Sequence, residues 1–152
     1  MKNTDKLDAL GMLGERLALK YLESKGHKVE LSFDKYDYEK DITVDDNLLC
    51  EVKTQQPWHM QNSFTIKGNQ LRKCKSADIL LFVETPSNEN GNKIAIWDFS
   101  ENKNKVITKT TRDNRTMYLY NKKYGELVAT ISDEKYVNTA KKYNSSQWRG
   151  KQ

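Results

Sequence analysis

The chain has 152 residues, 31% of them charged and 36% hydrophobic, with 26 lysines and arginines against 21 aspartates and glutamates. That length suits one domain with its own core. No long apolar run and no secretory leader stands out, so neither a membrane span nor secretion is expected.

The first expected element is a helix over residues 4–25, with Leu7, Leu10, Leu13, Leu17 and Tyr21 at spacings of three and four. Thr4 is placed as its N-cap and Gly26 as its stop. Gly11 and Gly14 within it each cost about 1 kcal/mol relative to alanine, which suggests close backbone approach to a sheet. Glu15, one turn after Gly11, would either lean over that sheet or pair on the surface with Arg16 or Lys20.

Next comes an antiparallel hairpin. Asp41-Ile42-Thr43-Val44 and Leu48-Leu49-Cys50-Glu51-Val52-Lys53 flank the polar turn Asp45-Asp46-Asn47. Closure at Val44 and Leu48 puts Asp41 opposite Glu51. Alternation sends Glu51 and Lys53 to one face and Ile42, Val44, Cys50 and Val52 to the other, which suits a core. Two facing carboxylates invite a hard cation such as Mg²⁺. A lysine two residues on can orient an attacking water or offset charge on a phosphate. This outlines a phosphodiesterase site, although Glu-x-Lys alone also describes a solvated strand face.

Phe64 to Lys75 reads as a short helix carrying Gln70, leading into the apolar strand Asp78–Glu84, expected to be buried on both faces. Gln70 can donate to and accept from a phosphate-bound water network; taken alone it is an ordinary surface amide. Pro86 to Asn92 is a polar turn, and Ile94–Phe99 is expected to continue the sheet antiparallel to the preceding strand. Residues 100–116 read as polar and irregular, with Lys103, Lys105, Lys109, Arg112 and Arg115 spread through them. Met117–Tyr120 and Leu127–Ile131 read as strands around a turn at Lys123–Glu126. A last helix is placed at Asp133–Tyr143 with Ser132 as cap, and residues 144–152 are expected to fray. Tyr118, Tyr120 and Trp97 are assigned to the core.

Charge is uneven along this order. Residues 1–85 hold 13 basic against 14 acidic residues, and residues 86–152 hold 13 against 7. Phosphate contact is therefore expected mainly in the C-terminal half, against the alternative of a basic surface with no specific role. Trp58 and His59, just past Lys53, are candidates for substrate contact. Lys67, Arg72, Lys73, Arg112 and Arg115 complete the expected nucleic-acid-binding set. Cys50 and Cys74 lack metal-ligand spacing with His27 or His59 and read as reduced thiols of a cytoplasmic protein.

Gly11-Met12-Leu13-Gly14-Glu15-Arg16, Lys40-Asp41-Ile42, Glu51-Val52-Lys53 and the Gln70 helix occur in an order that resembles the PD-(D/E)XK nuclease superfamily. The likeness is greatest to small archaeal-type Holliday-junction resolvases and related phage nucleases, and covers roughly residues 7–85. The resemblance implies an α/β fold of restriction-endonuclease type, a central mixed β-sheet flanked by helices. It implies a Mg²⁺-dependent DNA endonuclease, with Mn²⁺ able to substitute. Asp41 and Glu51 would be metal ligands, the Val52 backbone carbonyl a third, and Glu15 a ligand through water. Lys53 would assist the water or the leaving phosphate, and Gln70 would brace the site. Lys40 stands where these proteins carry proline, and Cys74 where exonuclease-type members carry tyrosine. DNA is the implied partner, with a homodimer expected, in a prokaryotic or phage-infected cell. Residues 1–85 would form the catalytic core and 86–143 a basic extension of one nuclease domain. The rival readings are a non-catalytic DNA-binding or assembly module of the same fold, and a DNA exonuclease.

Overall fold

The computed structural model describes the backbone of residues 3–34 and 39–149, and the side chains of residues 9–31 and 42–144. The fold is α+β, with a mixed sheet flanked by helices. Helix α1 (Asn3–Ser24) is followed by strands β1 (Val29–Asp34), β2 (Glu39–Val44), β3 (Leu48–Gln55) and β4 (Ser63–Ile66), then α2 (Gly68–Ser76). Strands β5 (Ile79–Glu84), β6 (Ile94–Asp98), β7 (Ile107–Thr110), β8 (Thr116–Asn121) and β9 (Glu126–Ile131) come next, and α3 (Glu134–Arg149) closes the described chain.

Six strands form one sheet in the order β1-β2-β3-β5-β6-β9, and β4-β8-β7 form a second. Only β3 and β5 run parallel, with β4 and α2 in the connection between them; all other neighbours are antiparallel. A parallel pair needs such a crossover, because a tight turn can join only antiparallel strands.

The large sheet is covered on both faces. On one, Leu10, Leu17, Ala18 and Leu22 of α1 and Val137 and Ala140 of α3 pack against Ile42, Val44, Cys50, Leu81, Val83, Ile94 and Ile96. On the other, Phe64, Ile66, Cys74, Phe99 and Tyr120 pack against Leu80 and Phe82. Strand β5 feeds alternate residues to both cores, which is why its sequence is a continuous apolar run.

Local chemistry sets the element ends. Gly26, at φ +90°, turns the chain out of α1 while its N–H bonds the Glu23 carbonyl; the left-handed region suits glycine there. Helix α1 opens at Asn3, so Thr4 lies inside it rather than capping it, and the side chains of Thr4 and Leu7 lie outside the described residues. Asp45 and Asp46, at φ 52° and 72°, make the hairpin turn, a conformation aspartate tolerates. At α3 the cap is Asp133, not Ser132: its Oδ1 accepts from the Lys135 N–H at 2.9 Å.

Four further expectations change. Val29–Asp34, unassigned in the sequence, is an edge strand. Phe64–Ile66 belongs to β4, so the helix carrying Gln70 starts only at Gly68. The polar stretch 100–116 contains β7, whose ladder with β8 supplies the order its own side chains do not. The last helix runs through residues 144–149 instead of fraying, because Asn144 is buried and its Nδ2 donates to Gln56 Oε1 at 3.0 Å. Tyr120 is buried as expected, and Trp97 and Tyr118 pack partly buried against the same cluster.

Candidate functional site

The hairpin register is the expected one: Val44 pairs with Leu48, Thr43 with Leu49 and Ile42 with Cys50. The ladder ends there, one residue short of the expected facing of Asp41 and Glu51. The backbone of Asp41 pairs with Ser32 of β1, while its side chain lies outside the described residues.

Glu51 and Lys53 project together from β3 on the face away from α1. Lys53 Nζ stands 2.8 Å from Glu51 Oε1 and donates to Gln70 Oε1 at 2.7 Å. Their side chains are 20% and 23% exposed, for lysine and glutamate respectively, so the pair is partly withdrawn from water yet open to a ligand. Gln70 reaches it from the first turn of α2. Thus three of the five expected catalytic residues meet around one ammonium. Val52, between them, is opposite Leu81 of β5 and turns its side chain to the α1 core.

Glu15 is placed differently. It lines a hollow between α1, β1 and α3 with Leu19, Leu31, Thr139 and Tyr143, and α1 covers the sheet face opposite to Glu51 and Lys53. The close approach expected of the helix glycines holds for Gly14 alone, where an added Cβ would fall 1.7 Å from Thr54 Oγ1; at Gly11 nothing lies within 4 Å.

Cys74, on α2 after Gln70, is fully buried. Burial pushes its thiol up to about 11, with Lys53 opposing the rise and Glu51 adding to it. Asp45 and Asp46 are committed elsewhere. Asp45 accepts from the Lys28 N–H at 3.0 Å and meets His27 Nδ1 at 2.7 Å; these contacts, the backbone one first, hold its carboxyl below the usual range. Asp46 pairs with Lys28. Among the described residues no three His, Cys, Asp or Glu side chains gather as a metal cluster.

The expected nucleic-acid contacts fall in two places. Lys67, Arg72 and Lys73 surround Gln70 on α2 and its N-terminal approach, and Lys67 and Arg72 are exposed. Arg112 and Arg115 lie at the β7–β8 hairpin, Arg115 against Asp113 at 2.7 Å. Trp58 stands under Lys109, whose Nζ is 5.2 Å from the ring centroid. His59 Nε2 is 3.7 Å from Glu89 Oε2.

One network escaped the sequence reading. Glu84, 1% exposed, receives Lys122 Nζ at 2.9 Å and Trp97 Nε1 at 2.9 Å on Oε1, and Asn90 Nδ2 at 3.1 Å on Oε2. A carboxylate ending an otherwise apolar strand was the available signal; its lysine lies 38 positions away, beyond any local pattern.

No protein family, curated protein or solved structure matches this chain. No described helix is long and apolar enough to cross a membrane.

Proposed function

We propose that the chain is a metal-dependent nuclease of the PD-(D/E)XK type that hydrolyses DNA phosphodiester bonds. The observation that carries this reading is Lys53 held between Glu51 and Gln70, 2.8 and 2.7 Å away, on the strand that one tight turn joins to the strand of Asp41. Of the ligands the resemblance implies, Glu51 offers a described carboxylate and Asp41 would be the second; hard divalent ions take such oxygen ligands while keeping several waters. When bound, Mg²⁺ or Mn²⁺ would supply an acidified water and charge for the phosphate. The chain's own groups do the positioning. Glu51 would exchange its bond to Lys53 for the cation. Lys53, still anchored by Gln70, would turn its ammonium to the phosphate oxygens, where negative charge grows in the transition state. Gln70 fixes the lysine, so little reorganisation is needed. A homodimer would place two such sites on two strands.

The test is cleavage of closed circular DNA and of a labelled four-way junction, with Mg²⁺, Mn²⁺ or EDTA. Folded Glu51→Ala and Lys53→Ala proteins are each expected to lose about a hundredfold or more in rate. Preference for the junction would mark a resolvase; cutting of linear DNA only would mark an exonuclease. The self-satisfied Glu51–Lys53–Gln70 set also favours a second reading, a non-catalytic binding module. That reading requires DNA binding indifferent to Mg²⁺ and no cutting of any substrate.

A further inference from the structure

The outer face of the three-stranded sheet has a composition the cleavage site does not use. Strand alternation and the ladder place Ile107 and Lys109 of β7 beside Met117 and the buried Leu119 of β8 on one face. Arg115 follows in the same alternation, its carbonyl bonded by the Thr111 N–H at 2.8 Å. Trp58 lies against this face through Lys109. The ring is set by backbone: the Trp58 N–H bonds the Ser63 carbonyl, and the Gln61 and Ser63 N–H groups bond the Trp58 carbonyl. Asn62, at φ 49°, completes this tight turn. At its tip Met60 is 89% exposed, and Ile107 on the neighbouring strand is 41% exposed. Large apolar side chains held this far into water by an ordered turn call for a partner with apolar faces. The charges here, Lys109, Arg112 and Arg115 (paired with Asp113) against Asp113 and Glu89, leave a positive excess of one that favours an anionic partner.

We propose that this face is a stacking platform for an unpaired nucleic-acid strand leading to the cleavage site. An unpaired strand presents both bare base faces and phosphates; a duplex hides its base faces within the stack. Lys109 covers the indole in the free protein by a weak cation–π contact. An arriving base takes that ring face, and the displaced ammonium moves to the adjacent phosphate. The sheet of the platform is tied to the strand of the site by Gln55, two residues past Lys53 on β3. Its side chain donates to the Thr65 carbonyl and accepts from the Thr65 N–H, both at 2.8 Å, pinning β4 against the end of β3. Trp58 is five residues beyond Lys53, no more than about 18 Å along extended chain.

This inference rests on the nucleic-acid part of the function proposed above but not on hydrolysis, and the experiment separates them. Binding of a labelled oligothymidylate, an oligouridylate and a duplex of equal length is followed by fluorescence anisotropy in EDTA. The wild-type protein is expected to prefer a single strand to duplex. Trp58→Ala should weaken that binding about tenfold while Trp58→Phe retains most of it. Lys109→Ala, at a half-buried strand position, should reduce the salt slope by about one. Equal losses for the deoxy and ribo strands would fit stacking and phosphate contact alone. If the duplex binds as tightly as the single strand, or if Trp58→Ala and Lys109→Ala bind unchanged, the platform is refuted. If binding behaves as expected while no protein cuts any DNA, the platform stands and the hydrolytic reading falls.

Discussion

At the scale of single residues, Gly14 and Gly11 share a helix and a sequence motif but not a constraint. An added methyl at Gly14 would fall 1.7 Å from Thr54 Oγ1 and 2.8 Å from Thr54 Cβ. Threonine is β-branched and stiff at χ1, so it cannot swing aside cheaply, and α1 or β3 would have to move. Overpacking of this kind costs about 1–3 kcal/mol, enough to outweigh the gain of about 1 kcal/mol in helix propensity. At Gly11 the space is open, and alanine removes only freedom from the unfolded chain, worth about 0.4–1 kcal/mol. Gly14→Ala is therefore expected to lower the urea midpoint and Gly11→Ala to raise it. Adding Thr54→Ala to Gly14→Ala should recover part of the loss. Equal shifts from the two glycines would show that α1 does not press on β3 at Gly14.

Between elements, the Glu84 cluster is the clasp that joins β5 of the large sheet to the 3-10 turn Lys122–Tyr124 after β8. Lys122 is only 15% exposed, so Lys122→Met strands the Glu84 carboxylate, a change that costs about 3–5 kcal/mol when a buried pair is broken. Glu84→Gln combined with Lys122→Met removes the charge as well as its partner. The double variant is expected to be more stable than Lys122→Met alone, as a chemical denaturation cycle would reveal; strict additivity would deny the coupling. This clasp also marks how far the sequence could be read. The β2–β3 hairpin was legible because a two-residue alternation and left-handed-tolerant aspartates both lie within it. Glu51, Lys53 and Gln70 were legible by order and spacing, and their convergence follows from one parallel crossover. Strand β4 was not, because it owes its order to β8, which lies far from it in the chain, and β7 was not, because its polar residues carry no core pattern and its order comes from the ladder with β8. Glu15 was assigned by its place one turn after Gly11 and by motif order, whereas α1 packs on the opposite sheet face and Glu15 there lines a hollow with Leu31 and Tyr143.

Across the whole molecule, two cores share one sheet, and each holds one thiol: Cys50 beneath α1 and α3, Cys74 beneath the aromatic cluster of Phe64, Phe82, Phe99 and Tyr120. Because β5 fills both cores with alternate residues, opening one should expose the other. Burial pushes Cys50 from 9.0 to about 12, with Glu51 and Asp98 adding to the rise, and Cys74 to about 11. Burial likewise raises the Tyr120 hydroxyl. For all three groups the native state keeps its proton above the pH at which the unfolded chain loses it. Their stabilisation is therefore complete below the ordinary thiol value, and it declines as pH rises from about 9 towards 12. Single-cysteine proteins, Cys50→Ala and Cys74→Ala, should leave the remaining thiol unreactive towards a disulfide reagent at neutral pH. In rising urea the two thiols should gain reactivity with the same midpoint, and that midpoint should fall between pH 9 and 12. Separate midpoints would mean that the aromatic core and the α1–α3 core open independently. Gln70 would then sit on a layer able to loosen while Glu51 and Lys53 stay on the formed hairpin.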